Sequence, residues 1–197
     1  MKYTLTYIIL GFYLLITTSC TGPSPTENVA NAPSISTPGP AKGSLGTGAY
    51  FAINEVGLGA NGFVALTNFT DQPANLAGLY LCQGFNCFEL PDVTVAAGET
   101  VRIAVGDGAG LEDVVASHAT LGDLRPSDGE IAMLNSQNPK DPKAMFAYLQ
   151  WGSTPHDLTQ IAIDNGLWVQ GGYGPSSDIA TRLFRVPETG LWLFDEP

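Results

Sequence analysis

The sequence is poor in basic residues. Its 197 residues include 8 Lys and Arg against 19 Asp and Glu, which gives a formal net charge of −11 and a pI near 4.3. A surface with that balance repels phosphate backbones, so the composition argues against nucleic acid as a partner. Charged residues make up only 14% of the chain, whereas it has 23 Gly and 14 Pro, which favours many turns over long helices.

Histidine is also scarce. His118 and His156 are the only two, they lie far apart in sequence, and neither has the i, i+4 partner of a zinc-binding helix. Ser153 and Asp157 lie close to His156, but no G-x-S-x-G nucleophile elbow accompanies them. We therefore interpret both histidines as surface or turn residues, and we predict no catalytic residue, no metal site and no cofactor.

The apolar run near the N-terminus is too short to cross a bilayer. Lys2 precedes an apolar run at residues 3–16, and small residues follow it up to Cys20. A membrane-spanning helix needs about 18 or more apolar residues. Residues 1–19 are therefore interpreted as a secretory signal peptide.

The junction Ile16-Thr17-Thr18-Ser19-Cys20 resembles the lipobox of bacterial lipoproteins. The resemblance implies that Cys20 receives a diacylglycerol, becomes the new N-terminus and is acylated there. Three acyl chains, at about 0.8 kcal/mol per buried CH₂, would anchor the protein to a membrane durably. Thr21 rather than Asp follows Cys20, so the usual sorting pattern favours the outer membrane over the inner membrane. The alternative is an ordinary cleaved signal peptide followed by an incidental cysteine.

Residues 20–48 are predicted to form a disordered tether that begins at the lipidated cysteine. The segment TGPSPTENVANAPSISTPGPAKGSLGTG has almost no large apolar residues. Burial therefore cannot offset the entropy that ordering it would cost. A lipid anchor, a flexible tether and a compact domain are together typical of a module displayed in the bacterial cell envelope.

Strand patterns alternate with turns between residues 51 and 105. Apolar residues recur with period 2 in FAINEV, GFVALTNF, GLYL, CFEL and TVRIAV. The turn-rich segments GLGANG, TDQPANLA, QGFN and PDVTVAAGE separate these runs. The pattern predicts an all-β fold, a β-sandwich.

Two glycine clusters are candidates for phosphate-binding loops, and only the first matches the motif in spelling. Residues 57–62 read G-x-G-x-x-G, but a strand pattern follows them where a nucleotide site needs a helix. Asn61-Gly62 before alternating apolar residues favours a hairpin instead. The second cluster, residues 106–110, leads into the short segment LEDVV. Neither cluster is interpreted as a nucleotide site.

Several blocks resemble the lamin tail domain in order and spacing. They are INEV, FVALTNFTDQPANLAGLYL, Leu90-Pro91, AAGETVRIAV, DGEIAMLN and AYLQWG, and together they cover residues 49–152. The resemblance implies an immunoglobulin-like β-sandwich, and bacterial members of the family occur on exported and surface proteins. Ala65 and Leu79 depart from the Glu and Trp usual in the family. The family brings no catalytic constellation to this chain.

Cys82 and Cys87 flank the turn sequence Gln-Gly-Phe-Asn. With Cys20 lipidated, two cysteines remain, an even number in an oxidising compartment. Across a short hairpin their Cα atoms could approach to disulfide distance, so we predict a structural bridge. The alternative is a redox-active pair, but the spacing is not C-x-x-C and no βαβ pattern surrounds it.

Carboxylates concentrate in a Gly-containing loop, residues 107–128. Asp107, Glu112 and Asp113 are candidates for a weak Ca²⁺ site, because calcium takes six to eight oxygen ligands. The spacing matches no EF-hand, so solvated surface carboxylates are favoured.

Residues 153–197 are predicted to form an irregular extension that packs on the sandwich. HDLTQIAIDNG, residues 156–166, predicts a short helix. The rest carries aromatic residues, which we expect to pack over the sandwich edge: Trp168, Tyr173, Phe184, Trp192 and Phe194. If they are exposed, they would suit contact with a protein or a carbohydrate.

Two functions remain open. The favoured one is a non-enzymatic lipoprotein of the cell envelope, whose sandwich serves interaction or structure. The alternative is a small surface hydrolase, or an accessory to one, that uses the acidic loop with a divalent metal. The two differ in whether the loop carboxylates converge in a pocket with a histidine or a nucleophile.

The first prediction concerns the anchor. We expect Cys20→Ser to release the protein from the membrane fraction, because the variant has no thiol to carry lipid. Fractionation and the intact mass of the mature protein measure this. A wild-type protein without acyl mass, together with a variant that stays in the membrane fraction, would contradict lipidation.

Overall fold

A computed structural model describes residues 50–105, 114–118, 121, 123–172, 174–175, 177–187 and 189–195. Cys20 and the tether lie outside these residues, so lipidation stays a prediction. The described residues form twelve strands and one helix. They are β1 (Phe51–Gly57), β2 (Phe63–Asn68), β3 (Ala74–Asn75), β4 (Tyr80–Gln83), β5 (Asn86–Glu89), β6 (Thr94–Val95), β7 (Thr100–Val105), β8 (Val114–His118), β9 (Gly129–Leu134), β10 (Met145–Trp151), α1 (Thr159–Asp164), β11 (Arg182–Arg185) and β12 (Trp192–Asp195).

The strands form two main sheets. The larger has the order β12-β11-β1-β2-β7-β8, and its pairs are antiparallel except for β7 with β8. The smaller has the order β10-β9-β4-β5 and is antiparallel throughout. Strands β3 and β6 pair separately. The predicted all-β sandwich is confirmed.

One apolar core draws on both sheets. Alternating apolar positions of the strands supply its fully buried side chains, among them Val64, Leu66, Ile103, Leu81, Ile131, Met133 and Leu149. Each such side chain contributes roughly 1.5–3 kcal/mol by leaving water. Burial of these side chains is the main force that holds the sandwich together.

Strand β1 keeps its apolar side chains buried by means of an irregularity. Phe51 and Ile53 are buried at alternate positions, and the pairing with β2 then shifts between Ile53 and Glu55. The shift inserts one residue, so Val56 is also fully buried although it is three positions after Ile53.

The first glycine cluster connects two strands. Gly57 pairs with Phe63 in the antiparallel β1–β2 pair, and Gly59 in the loop between them has φ of +82°. Glycine adopts such a positive φ without steric cost. The hairpin prediction is confirmed, whereas the second cluster, residues 106–110, lies outside the described residues.

The C-terminal segment is more regular than the sequence predicts. Its strands β11 and β12 extend the larger sheet through β1. The Arg182 guanidinium donates to Glu55 Oε1 at 3.2 Å and to Asp195 Oδ2 at 2.6 Å, which links three adjacent strands. Trp168 and Trp192 are buried, as expected for aromatic residues that pack on the sandwich.

The predicted short helix is present as α1, which has six residues within the predicted range 156–166.

Within the described parts of the chain, no helix combines the length and the apolar character that a membrane crossing requires.

Cys82 and Cys87 form a disulfide across the β4–β5 hairpin. The two residues are directly opposite each other in the strand register, and their Cα atoms are 4.1 Å apart. Directly opposed residues of an antiparallel pair lie at about this separation. The predicted structural bridge is confirmed.

The second prediction concerns this bridge. We expect replacement of both cysteines by Ala to lower the free energy of unfolding by about 2 kcal/mol, because the small closed loop restricts the unfolded chain. Urea unfolding of the oxidised protein, the reduced protein and the double variant measures the difference. The reduced protein should resemble the variant, and equal midpoints for all three would show that the bridge adds no stability.

Candidate functional site

A polar cleft of about 530 Å³ opens beside the disulfide-bridged hairpin. Three parts of the chain line it: the β4–β5 hairpin, residues 121–130, and residues 155–157 just before α1. Its polar lining side chains are Gln83, Asn86, Asp123, Arg125, Asp128, Glu130, His156 and Asp157. We call this site the cleft.

Hydrogen-bond acceptors outnumber donors in the cleft. Among the residues that the structure describes, four carboxyl groups line it, against one guanidinium group and one imidazole. In addition, Gln83 Oε1 is buried and has no hydrogen-bond partner within the described part of the chain. A buried acceptor without a partner loses the hydrogen bonds that water would provide. A ligand in this cleft therefore gains most by presenting hydrogen-bond donors.

Two walls of the cleft meet at a turn glycine. Gly84 has φ of +56°, and a Cβ atom built on it would lie 3.0 Å from Asp157 Oδ2. Glycine suits this position both for its backbone conformation and for the space it leaves. The hairpin turn and the segment before α1 thus approach each other directly.

Four polar side chains are buried next to the cleft, and we call them the buried network. They are Glu130 of β9, Tyr148 and Gln150 of β10, and Thr159 of α1. Gln150 pairs with Glu130 in the strand register and Tyr148 lies two positions before it, so the three share one face of the sheet. Glu130 is only 3% exposed, yet it also lines the cleft.

The centre of the buried network is a set of short oxygen–oxygen contacts. The Tyr148 hydroxyl lies 2.8 Å from Glu130 Oε2 and 2.9 Å from both Gln150 Oε1 and Thr159 Oγ1. The Thr159 hydroxyl lies 2.6 Å from Gln150 Oε1.

The buried network also bonds to the backbone that surrounds it. The Leu158 N–H is 3.2 Å from both Glu130 carboxyl oxygens, and the His156 N–H donates to Thr159 Oγ1 at 2.7 Å. Gln150 Nε2 donates to the Gly172 carbonyl at 2.9 Å. The network therefore connects β9 and β10 to the start of α1 and to the loop that follows it.

Trp168 packs against the buried network. Its indole N–H donates to the same Gly172 carbonyl at 2.9 Å, and its ring meets the Tyr148 ring edge-on with centroids 5.4 Å apart. Such aromatic pairs contribute about 0.5–1.5 kcal/mol beyond the area they bury.

Burial changes the acid–base properties of the network. It raises the pKa of Glu130, although the hydrogen bonds from Tyr148 and the Leu158 N–H act in the opposite direction. Burial and the nearby Glu130 charge also raise the pKa of Tyr148, so its phenol stays neutral.

The candidate calcium ligands belong to a part of the chain that the structure does not describe. Asp107, Glu112 and Asp113 lie outside the described residues, so this site stays untested. Asp123 and Asp128, from the same loop, both line the cleft. In the described part of the chain, no three His, Cys, Asp or Glu side chains are grouped closely enough to hold a metal ion.

The two histidines lie in different settings. His118 ends β8, and His156 is half-buried in the segment before α1, where its Nε2 lies 3.3 Å from the Trp151 carbonyl oxygen. His156 and Asp157 both line the cleft, whereas Ser153 is exposed and is not among its lining residues.

Sequence reasoning did not identify the buried network. Tyr148 and Gln150 alternate with apolar residues as solvent-facing positions of a strand do, and only the C-terminal segment buries them. Glu130 was the available signal, because it is the one charged residue in the apolar run GEIAML.

Comparison with known proteins yields no match for this chain, either among protein-family models or among curated proteins.

The third prediction concerns Thr159. We expect Thr159→Val to lower the free energy of unfolding by about 1–3 kcal/mol, because Val leaves the His156 N–H without its acceptor and removes the shorter of the two hydroxyl contacts to Gln150 Oε1. Thr159→Ser keeps the hydroxyl and serves as the matched control in thermal or urea unfolding. Equal losses in both variants would mean that the methyl group matters and the hydroxyl does not.

Proposed function

We propose that the chain is an exported lipoprotein, anchored in the bacterial cell envelope through Cys20, whose β-sandwich is a non-enzymatic interaction module. Its contact surface is the cleft, where it meets a protein or a carbohydrate of the envelope. One observation carries this proposal. A disulfide holds one wall of the polar cleft, and hydrogen bonds to the buried network hold another. The lipobox and the resemblance to lamin tail domains support the setting.

The bracing consists of two independent elements. The Cys82–Cys87 disulfide holds the hairpin that carries Gln83 and Asn86. On the other side, the Leu158 and His156 N–H groups bond to Glu130 and Thr159, which holds residues 155–157 in position. A surface already rigid in its binding conformation loses less entropy when a partner docks.

The lining side chains indicate what the partner offers. Asp123, Asp128 and Asp157 can accept hydrogen bonds from a partner. Sugar hydroxyls and the N–H groups of a polypeptide both supply the donors that such a surface needs. Arg125 provides the cleft with a guanidinium group, which suits an acceptor on the partner.

The hydrolase with a divalent metal is the second candidate. One observation favours it, since Asp123 and Asp128 from the acidic loop share the cleft with His156. The interaction module is preferred because the bracing of the cleft walls is observed, whereas the candidate ligands Asp107, Glu112 and Asp113 lie outside the described residues.

The fourth prediction tests the cleft as the contact surface. We expect a benzophenone amino acid at position 86, in the cleft, to form covalent adducts upon illumination of intact cells. The same amino acid at Asp178, an exposed position that is not among the cleft residues, should form none. Asp157→Ala should greatly reduce the adduct at position 86, because it removes an acceptor from the cleft.

Two outcomes would contradict the interaction module. Adducts of equal yield at positions 86 and 178, or no adduct at position 86, would show that the cleft is not a contact surface. Calorimetric binding of Ca²⁺ at micromolar concentration, lost in Asp107→Asn, would favour the hydrolase instead.

A further inference from the structure

The buried network has more short oxygen–oxygen contacts than hydroxyl hydrogens. Four contacts of 2.6–2.9 Å join Glu130 Oε2, Tyr148 Oη, Gln150 Oε1 and Thr159 Oγ1. A hydrogen bond needs one hydrogen between its two oxygens. The hydrogens available to these contacts therefore determine how many of them are favourable.

The orientation of the Gln150 amide is determined by its neighbour. The Gly172 carbonyl oxygen can only accept, so the Gln150 atom 2.9 Å from it must be the NH₂ nitrogen. The amide oxygen consequently faces Tyr148 and Thr159. Turning the amide over to donate to the two hydroxyl groups would set two carbonyl oxygens against each other.

With Glu130 ionised, only the Tyr148 and Thr159 hydroxyl groups supply hydrogens. Tyr148 then donates to Glu130 and Thr159 to Gln150, so no hydrogen lies between the Tyr148 oxygen and either the Gln150 oxygen or the Thr159 oxygen, each 2.9 Å away. With Glu130 protonated, the carboxyl donates to Tyr148, and Tyr148 and Thr159 both donate to Gln150. The third hydrogen converts the repulsive Tyr148–Gln150 contact into a hydrogen bond and leaves the Tyr148–Thr159 contact as the one of the four without a hydrogen.

The charged and titratable groups around Glu130 come from each neighbouring element. Tyr148 faces it from β10, while His156 and Asp157 approach from the segment before α1. On β4, Cys82 lies in the disulfide and does not titrate. Arg125 and Asp128 line the same cleft. Burial has the largest influence on the pKa of Glu130, and it favours the neutral carboxyl.

We propose that Glu130 keeps its proton in the folded protein over a pH range in which exposed glutamates are ionised, and that its ionisation at higher pH loosens the joint between β9–β10 and the C-terminal segment. The joint consists of the contacts of Glu130, Tyr148 and Gln150 with residues 156–172. Ionisation draws the Tyr148 hydrogen to Glu130. Gln150 then gains by turning away, which breaks its bond to Gly172.

The sign of the effect on stability follows from the direction of the shift. A carboxyl whose pKa is higher in the folded than in the unfolded state contributes stability that is fully present below about pH 4.3, the unfolded value for Glu. That contribution is lost as the pH rises through the folded pKa. Each unit of elevation corresponds to a tenfold change in the ratio of folded to unfolded protein.

The test uses the folded protein labelled with ¹³C at the glutamate carboxyl carbons. We expect the Glu130 resonance to titrate with a midpoint above about 4.3, the ordinary pKa of a glutamate side chain. The Trp168 indole N–H resonance should shift with the Glu130 midpoint, because it shares the Gly172 carbonyl with Gln150. A Glu130 midpoint that is not above this ordinary value, or an indole resonance that does not follow Glu130, would overturn the proposal.

Variants provide the matched comparison. In Glu130→Gln the amide N–H takes the position of the carboxyl hydrogen and donates to Tyr148, so the indole shift should disappear. The decrease in the free energy of unfolding that accompanies ionisation of Glu130 should also be absent in this variant. Glu99→Gln, at an exposed glutamate, should leave both unchanged. A shift that persists in Glu130→Gln would assign the titration to another group, and if this variant does not fold the wild-type titration still decides.

Discussion

Buried polar groups must find hydrogen-bond partners, and this constraint organises the molecule around β9 and β10. One face of this strand pair carries Glu130, Tyr148 and Gln150, which in an isolated sandwich would face water. Here they are covered, and each bonds to α1, to the residue before it or to the loop that follows it. The position of the C-terminal segment is therefore set by hydrogen bonds as well as by apolar contact.

The opposite face of the same strands meets a different requirement. Ile131, Met133, Leu149 and Trp151 lie at the alternate positions and belong to the apolar core. All six residues of β9 are consequently buried, which is unusual for a strand of an antiparallel sheet with one solvated face. Gly129 permits this packing, because a Cβ atom there would lie 2.3 Å from the Trp151 ring.

The cleft and the buried network have one residue in common. Glu130 belongs both to the cleft and to the buried network. A change in its protonation state would therefore change both the charge of the cleft and the hydrogen bonds of the network. The disulfide-bridged hairpin completes the cleft and carries Phe85, which is 48% exposed at the turn with the Lys140 ammonium 5.4 Å from its ring centroid. An exposed aromatic ring beside a polar cleft fits a surface that meets a partner.

The first strands could be predicted from the sequence, because the alternation of apolar residues and the positions of turn residues are local properties. FAINEV, GFVALTNF and TVRIAV all became strands, Cys82 and Cys87 met across a short hairpin, and the helix formed within residues 156–166. The strands β11 and β12 were missed because their segments, RLFR and WLFD, are short and lie among turn residues. The pairing of β11 with β1 spans more than 120 residues of sequence, as the contact of Glu55 with Arg182 shows.

The site was beyond local reasoning for the same physical reason. Tyr148 and Gln150 alternate like exposed residues, and nothing near them in sequence indicates that Thr159 and the Gly172 carbonyl bury and bond them. Local pattern determined which segments extend and which turn. Only tertiary packing decided which polar face was covered, and with it the environment of Glu130, because burial and hydrogen bonding depend on neighbours that the chain brings together from distant positions.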